Sequence, residues 1–156
     1  MEIEITPEVE KRIADVERGT MSIGITGTKD GLTEEQFRIA KDLFAVLWMT
    51  EIHAGDCIGV DAEIVTLVKE LQPEVKTVGH PPTKPDFRAF LEYDDERSCK
   101  PYLDRNHDIV DESEYMFAFP KETEEVLRSG TWATVRYARK VGKQVLIIYP
   151  DGTVSA

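Results

Sequence analysis

Cysteine is scarce: only Cys57 and Cys99 occur in the 156 residues, 42 positions apart and without a CxxC. That spacing excludes a disulfide framework and suits a reduced, cytoplasmic protein. Long hydrophobic runs are missing too. Nothing approaches the roughly 20 apolar residues of a membrane span, and no charged-then-apolar leader stands ahead of Met21, so neither a membrane nor secretion is expected. Basic charge is in short supply, with 19 Lys and Arg against 30 Asp and Glu and a formal net charge of −11. Such a field repels a polyanion at long range, so nucleic acid is not an expected partner; a small local basic pocket for a small anion remains open. The segment "GITGTKDG" lacks the spacing of GxGxxG and has no GK[ST], which removes the dinucleotide fingerprint and the Walker loop. His53, His80 and His107 share no metal-ligand spacing with the cysteines, so spacing supports neither a metal site nor a Cys-His nucleophile pair.

What is present is the patterning of one domain long enough to hold a core without staples. Residues 1–20 read as a helical extension, Val9, Ile13 and Val16 making one apolar stripe, and residues 21–156 as the domain proper. "MSIGIT" is a strand, and the helix after it starts at Thr33 with Gln36 three residues on, a capping box, burying Phe37, Ala40, Leu43 and Leu47. "EIHAG" is a second strand, followed by a helix that buries Ile64, Leu67, Val68 and Leu71 and stops at Pro73. After the third strand, "EVKTVGH", the rhythm breaks at residues 81–100, a stretch long enough to be a lid or binding loop and carrying Phe87, Phe90 and Tyr93. A helix from Pro101, the strand "YMFAFP", a helix opened by "SGT" and the strand "QVLIIYP" complete the series. Continuously apolar strands alternating with helices predict an α/β Rossmann-like three-layer sandwich with a mostly parallel sheet of about five strands.

In such a sheet ligands sit beyond the carboxyl ends of the strands, where strand order reverses. The loops there offer Gly27 and Thr28 after the first strand, Gly55, Asp56, Gly59 and Asp61 after the second, and Ser129, Gly130 and Thr131 before the last helix. Glycine at a helix start lets free N–H groups approach a ligand, and the positive end of the helix dipole is worth roughly 0.3–1 kcal/mol to an anion. Ser129 or Thr131 either caps the helix or turns its hydroxyl to a phosphate, and two hydroxyls flanking a glycine favour the anion. Arg105, on the helix before the fourth strand, is either a surface ion-pair partner or a phosphate fork.

Four segments, "GITGT", "HAGDCIGVDAEI", "RNHDIVDESEYMFAFP" and "SGTWATVRYARKVGKQVLIIYP", together resemble the SLOG superfamily of Rossmann-like domains. That group joins the Lonely Guy phosphoribohydrolases, the Rossmann domain of DNA-processing protein A and small bacterial and phage YspA-like proteins. Gly55, Gly59, Val60 and Asp61 match its GGAxGVD turn, and Arg105, Asn106, Val110 and Pro120 match its RN-helix and A-F-P strand; the likeness covers about residues 21–150 and is nearest the YspA-like members. The resemblance implies a pocket for a nucleotide or nucleotide-derived molecule with its phosphate at the SGT helix, and a homodimer or higher homo-oligomer. It also marks a departure. Where the Lonely Guy enzymes carry a catalytic glutamate this chain has Thr134, whose neutral hydroxyl cannot do a carboxylate's work.

The expected function is therefore ligand binding, as a sensor or sequestering protein, with catalytic residues unassigned and cofactor unknown. The alternative is a nucleoside or nucleotide N-glycosidase using Arg105 and a relocated acid, for which Glu122, Glu124 and Glu125 stand in the preceding loop. A carboxylate about 8 Å from a phosphate charge repels it by roughly 2 kcal/mol at an effective dielectric of 20, so these acids must point to solvent or hold a cation such as Mg²⁺. A third alternative, a DNA-handling accessory, is opposed by the net charge.

Overall fold

A computed structural model describes residues 6–10 and 21–156; residues 7–10 are helical, whereas Ile13 and Val16 of the expected N-terminal stripe lie outside the described residues. The elements are β1 (Ser22–Gly27), α1 (Glu34–Val46), β2 (Glu51–Ala54), α2 (Val60–Leu71), β3 (Lys76–Gly79), β4 (Asp95–Glu96), α3 (Tyr102–Glu112), β5 (Tyr115–Phe119), α4 (Gly130–Lys140), β6 (Gln144–Ile148) and β7 (Val154–Ser155). They form a seven-stranded sheet in the order β4-β3-β2-β1-β5-β6-β7, parallel throughout except for the antiparallel pair of β6 with β7. This is the α/β three-layer architecture expected from the alternation. The count is seven rather than five because β4 and β7 are two-residue edge strands, too short for any hydrophobic period to register. Among the described residues no helix is long and apolar enough to cross a membrane.

Two apolar layers flank the sheet. One joins α1 and α2 to Ile23, Ile25, Ile52, Phe117 and Phe119, with Phe44 and Phe117 ring centroids 5.7 Å apart. The other joins α3 and α4 through Ile109, Val110, Trp132, Val135 and Ala138 to Met116, Ala118, Val145 and Ile147. Strands buried on both faces leave no polar alternation, which is why they read as unbroken apolar runs.

Helix α1 opens as its sequence dictates. Thr33 accepts from the Gln36 N–H and the Gln36 side chain reaches back to the Thr33 N–H, closing the capping box. Its buried face, however, is Gln36, Ile39, Ala40, Leu43 and Phe44, and Phe37 stands 41% exposed, against the expectation that it is core. A polar residue takes the inward position because its amide nitrogen is needed there: Gln36 Nε2 donates to the carbonyls of Pro120 at 2.8 Å and Ile148 at 2.9 Å, at the ends of β5 and β6. Leu71 likewise is 41% exposed, in the last turn of α2 where the helix leaves the sheet.

Strand order reverses between β1 and β5. From β1 the chain steps outward through β2, β3 and β4, then crosses back to lay β5 on the other side of β1. The carboxyl ends of β1 and β5 therefore diverge into separate loops, leaving a crevice at Gly27 and Phe119.

Candidate functional site

A cavity of about 370 Å³ occupies that crevice. Its floor is the end of β1, Ile25 to Lys29; one wall is α3 with Tyr102, Arg105 and Asn106; the opposite wall is the start of α4, Ser129 to Thr131. Phe87 of the 81–100 insert closes one side, with Lys29 Nζ 4.1 Å from the centre of its ring. Four cationic side chains, Lys29, Arg105, Lys121 and Arg128, line the cavity against two carboxylates, Asp61 and Glu122. A chain of net charge −11 thus concentrates positive charge at its switch point.

Two helices begin at this crevice, and they are used differently. The first turn of α2 is sealed by protein: the Val60 N–H donates to the Thr28 carbonyl at 3.1 Å and Ala62 N–H to the Cys57 carbonyl at 3.2 Å. Gly59 permits that closure, since its φ is +84° and a Cβ there would collide with the carbonyl of Lys29. The first turn of α4 is open. Ser129 spends its hydroxyl as the N-cap, accepting from Trp132 N–H at 3.2 Å, while the N–H groups of Gly130 and Thr131 have no partner among the described residues. An anion in the cavity meets these two donors at the positive end of an 11-residue helix. Gly130 has no steric reason to be glycine, for a Cβ built on it meets nothing within 4 Å.

Arg105 faces α4 from across the cavity. It is 94% buried, with its Nη1 donating to the carbonyls of Gly55 and, at 3.3 Å, His80. Its Nε is buried with no hydrogen-bond partner, an orphaned donor on a charged group that is costly to leave unsatisfied. Gly55 is glycine because a Cβ would overlap the guanidinium. Asp61 lies beside Arg105 in the cavity wall and accepts from Cys57 N–H at 3.2 Å; burial outweighs the arginine and pushes its carboxyl up to about 6. Burial likewise raises the neighbouring Cys57 thiol to about 11, which disfavours the thiolate near neutral pH.

Of the residues expected to bind, Gly27, Thr28, Asp61, Arg105, Ser129, Gly130 and Thr131 come together around this one cavity. Gly55, Asp56 and Gly59 do not line it. Asp56, fully buried at φ +57°, turns to the 81–100 insert: its carboxylate accepts from Arg88 Nε (2.8 Å), Phe90 N–H (3.2 Å), Leu91 N–H (3.1 Å) and the Tyr93 hydroxyl (3.0 Å). It pins the loop that carries Phe87. Trp132 is core, 2% exposed, and its indole N–H donates to Glu122 at 3.0 Å, fixing that carboxylate at the cavity rim. Glu125 pairs instead with Arg136 at 3.1 Å. Thr134 is buried with its hydroxyl on the Gly130 carbonyl at 2.9 Å, a packing role within α4.

Reasoning from sequence named Glu122 among three loop acids but missed Lys121 and the basic side chain of Arg128 immediately before the predicted cap, which the loop between β5 and α4 brings to the cavity. It also gave no sign of a buried histidine pair. His53 on β2 and His80 just after β3 are 1% and 2% exposed, with Nδ1 of the first 2.9 Å from Nε2 of the second. Burial lowers both below the ordinary histidine range, His80 to about 4. No family model matches this chain, and no curated protein matches it either.

Proposed function

We propose that the chain binds a nucleotide or nucleotide-derived small molecule in the switch-point cavity, as a sensor or sequestering protein. The observation that carries this reading is the opposition of two unsatisfied donor sets across one cavity, the open N-terminus of α4 on one wall and the buried Arg105, with its partnerless Nε, on the other. A phosphate on the N–H groups of Gly130 and Thr131 places the rest of the ligand between Tyr102 and Phe87, two rings that suit a flat heterocycle. The resemblance to SLOG domains points to the same helix end and adds a homo-oligomer to the proposal, and the scarcity of cysteine adds a reduced, cytoplasmic setting. Mass spectrometry of small molecules released from the purified protein tests the reading, with thermal-shift assays against nucleoside monophosphates and their parent nucleosides. Monophosphates are expected to raise the melting temperature and nucleosides to do so less; equal response to both removes the phosphate subsite.

A second reading, hydrolysis of an N-glycosidic bond, has one observation in its favour: two carboxylates, Asp61 and Glu122, line the cavity in unlike environments, and Asp61 holds its proton closer to neutral pH than an ordinary aspartate does. Two such groups can divide the roles of acid and charge stabiliser. Incubation with nucleosides and nucleoside monophosphates decides it. Release of free base that Glu122→Gln abolishes supports hydrolysis, and no release from any of them leaves binding alone.

A further inference from the structure

On the α3 side of the sheet, β2, the residue after β3 and the end of α3 carry a polar chain. Its order is Glu51, His53, His80, Glu112: Glu51 Oε2 lies 3.0 Å from His53 Nε2, His53 Nδ1 lies 2.9 Å from His80 Nε2, and His80 Nδ1 lies 3.7 Å from Glu112 Oε2. The first two gaps are hydrogen-bond distances and each takes one ring hydrogen; the third, at 3.7 Å, is longer than a hydrogen bond. Two neutral imidazoles supply two ring protons. With both used in the two hydrogen bonds, a lone pair on His80 Nδ1 faces the Glu112 carboxylate across 3.7 Å with no hydrogen between them.

The surroundings are those of a ligand set. Both rings are buried, and His53 has a carboxylate, Glu51, on its outer nitrogen, the arrangement that orients a metal-binding histidine and sharpens its basicity. Glu112 is itself oriented, its Oε1 accepting from Arg97 Nε at 2.9 Å and Nη2 at 2.6 Å, which leaves Oε2 toward His80. One nitrogen from each ring and one oxygen of Glu112 lie within 4.8 Å of one another. Ligands around a tetrahedral ion at 2.0–2.2 Å stand roughly 3.4 Å apart, so closure asks for side-chain shifts of about an ångström. Glu112, with a side chain 34% exposed, has room to make them and gives an ion its entry from solvent.

We propose that His53, His80 and Glu112 bind one divalent transition-metal ion of the zinc class, with Glu51 positioning His53 and Arg97 positioning Glu112. Two imidazoles and a carboxylate are a borderline donor set that suits zinc or cobalt better than magnesium or calcium, which prefer oxygen. These three residues do not line the switch-point cavity, so the ion has a structural role: it ties β2, the end of β3 and the last turn of α3 together. Its existence does not depend on the nucleotide reading.

The full-length chain titrated with Zn²⁺ by calorimetry, and with Co²⁺ by visible absorption, tests the site. One equivalent is expected to bind, with cobalt bands of a low-symmetry nitrogen and oxygen site and a rise in melting temperature. Glu112→Gln, at a partly exposed position that should not disturb folding, is expected to weaken binding at least tenfold, and Glu51→Gln ten- to a hundredfold. His107→Ala, which removes an exposed imidazole stacked on Tyr137, should bind as the parent does. Absence of saturable one-equivalent binding by the parent chain overturns the proposal. So does binding that Glu112→Gln and Glu51→Gln leave unchanged while His107→Ala reduces it.

Discussion

At the scale of single residues, the site is governed by which polar groups are satisfied by the protein and which are left for a ligand. Asp61 is the titratable member of the cavity, and its carboxyl is raised from 3.8 to about 6, chiefly by burial. Between about pH 4 and 6 the folded chain thus holds a proton that the unfolded chain has released. The stability this group contributes is fully present below the unfolded value and is lost as pH rises through about 6. In Asp61→Asn that slope should vanish from denaturant titrations repeated across the range. Protonation also removes a negative charge from the cavity, so inorganic sulfate, whose own charge is constant here, should bind about tenfold more tightly below pH 6 than above it, the scale of one interaction of 1–2 kcal/mol. Sulfate affinity independent of pH in the parent chain would dissociate Asp61 from the anion site. Sequence could single out Asp61, Arg105 and the SGT triplet because chemistry at loop ends is written locally. It could not separate Asp61, which faces the cavity, from Asp56, five residues earlier, which is consumed by Arg88, Tyr93 and two backbone N–H groups.

Elements were legible where periodicity is long and strong. The capping box at Thr33 and the parallel core strands followed from pattern alone, whereas β4 and β7, two residues each, owe their existence to neighbours already in place. Gln36 shows the limit of hydropathy: the core of α1 contains an amide because β5 and β6 end in carbonyls that need a donor. Gln36→Leu keeps the volume and removes all three side-chain hydrogen bonds, the two donated to Pro120 and Ile148 and the one accepted from Thr33 N–H, so it is expected to destabilise the fold by about 2–4 kcal/mol, measurable by urea unfolding. A cost under about 0.5 kcal/mol would mean water replaces the amide. The insert is the corresponding case among loops. It is held by Asp56 and by Tyr93, whose ring packs against Gly79. Asp56→Asn should leave the sheet folded while amide exchange across residues 86–96 accelerates by at least tenfold, since a buried charge pair with Arg88 is broken. Unaltered exchange there would show that aromatic packing alone secures the loop.

For the whole molecule, the sheet explains how a strongly acidic chain gathers positive charge around the cavity proposed to take an anionic ligand. Reversal of strand order between β1 and β5 opens a crevice into which two helices point, and the chain seals one helix end with Thr28 and Cys57 while leaving the other open opposite Arg105. Composition reports the repulsive average; topology gathers Lys29, Arg105, Lys121 and Arg128 around a single cavity. The most direct measurement is a calorimetric titration of the parent chain and of Gly130→Asp with a nucleoside monophosphate that stabilises the parent. No atom lies within 4 Å of the position a Cβ would take at residue 130, so the variant should fold with an unchanged melting temperature, yet it carries a carboxylate to the mouth of the proposed anion site. The account predicts at least a tenfold loss of affinity in Gly130→Asp with the fold intact. Equal affinity in the two proteins would contradict it and move the ligand away from the N-terminus of α4.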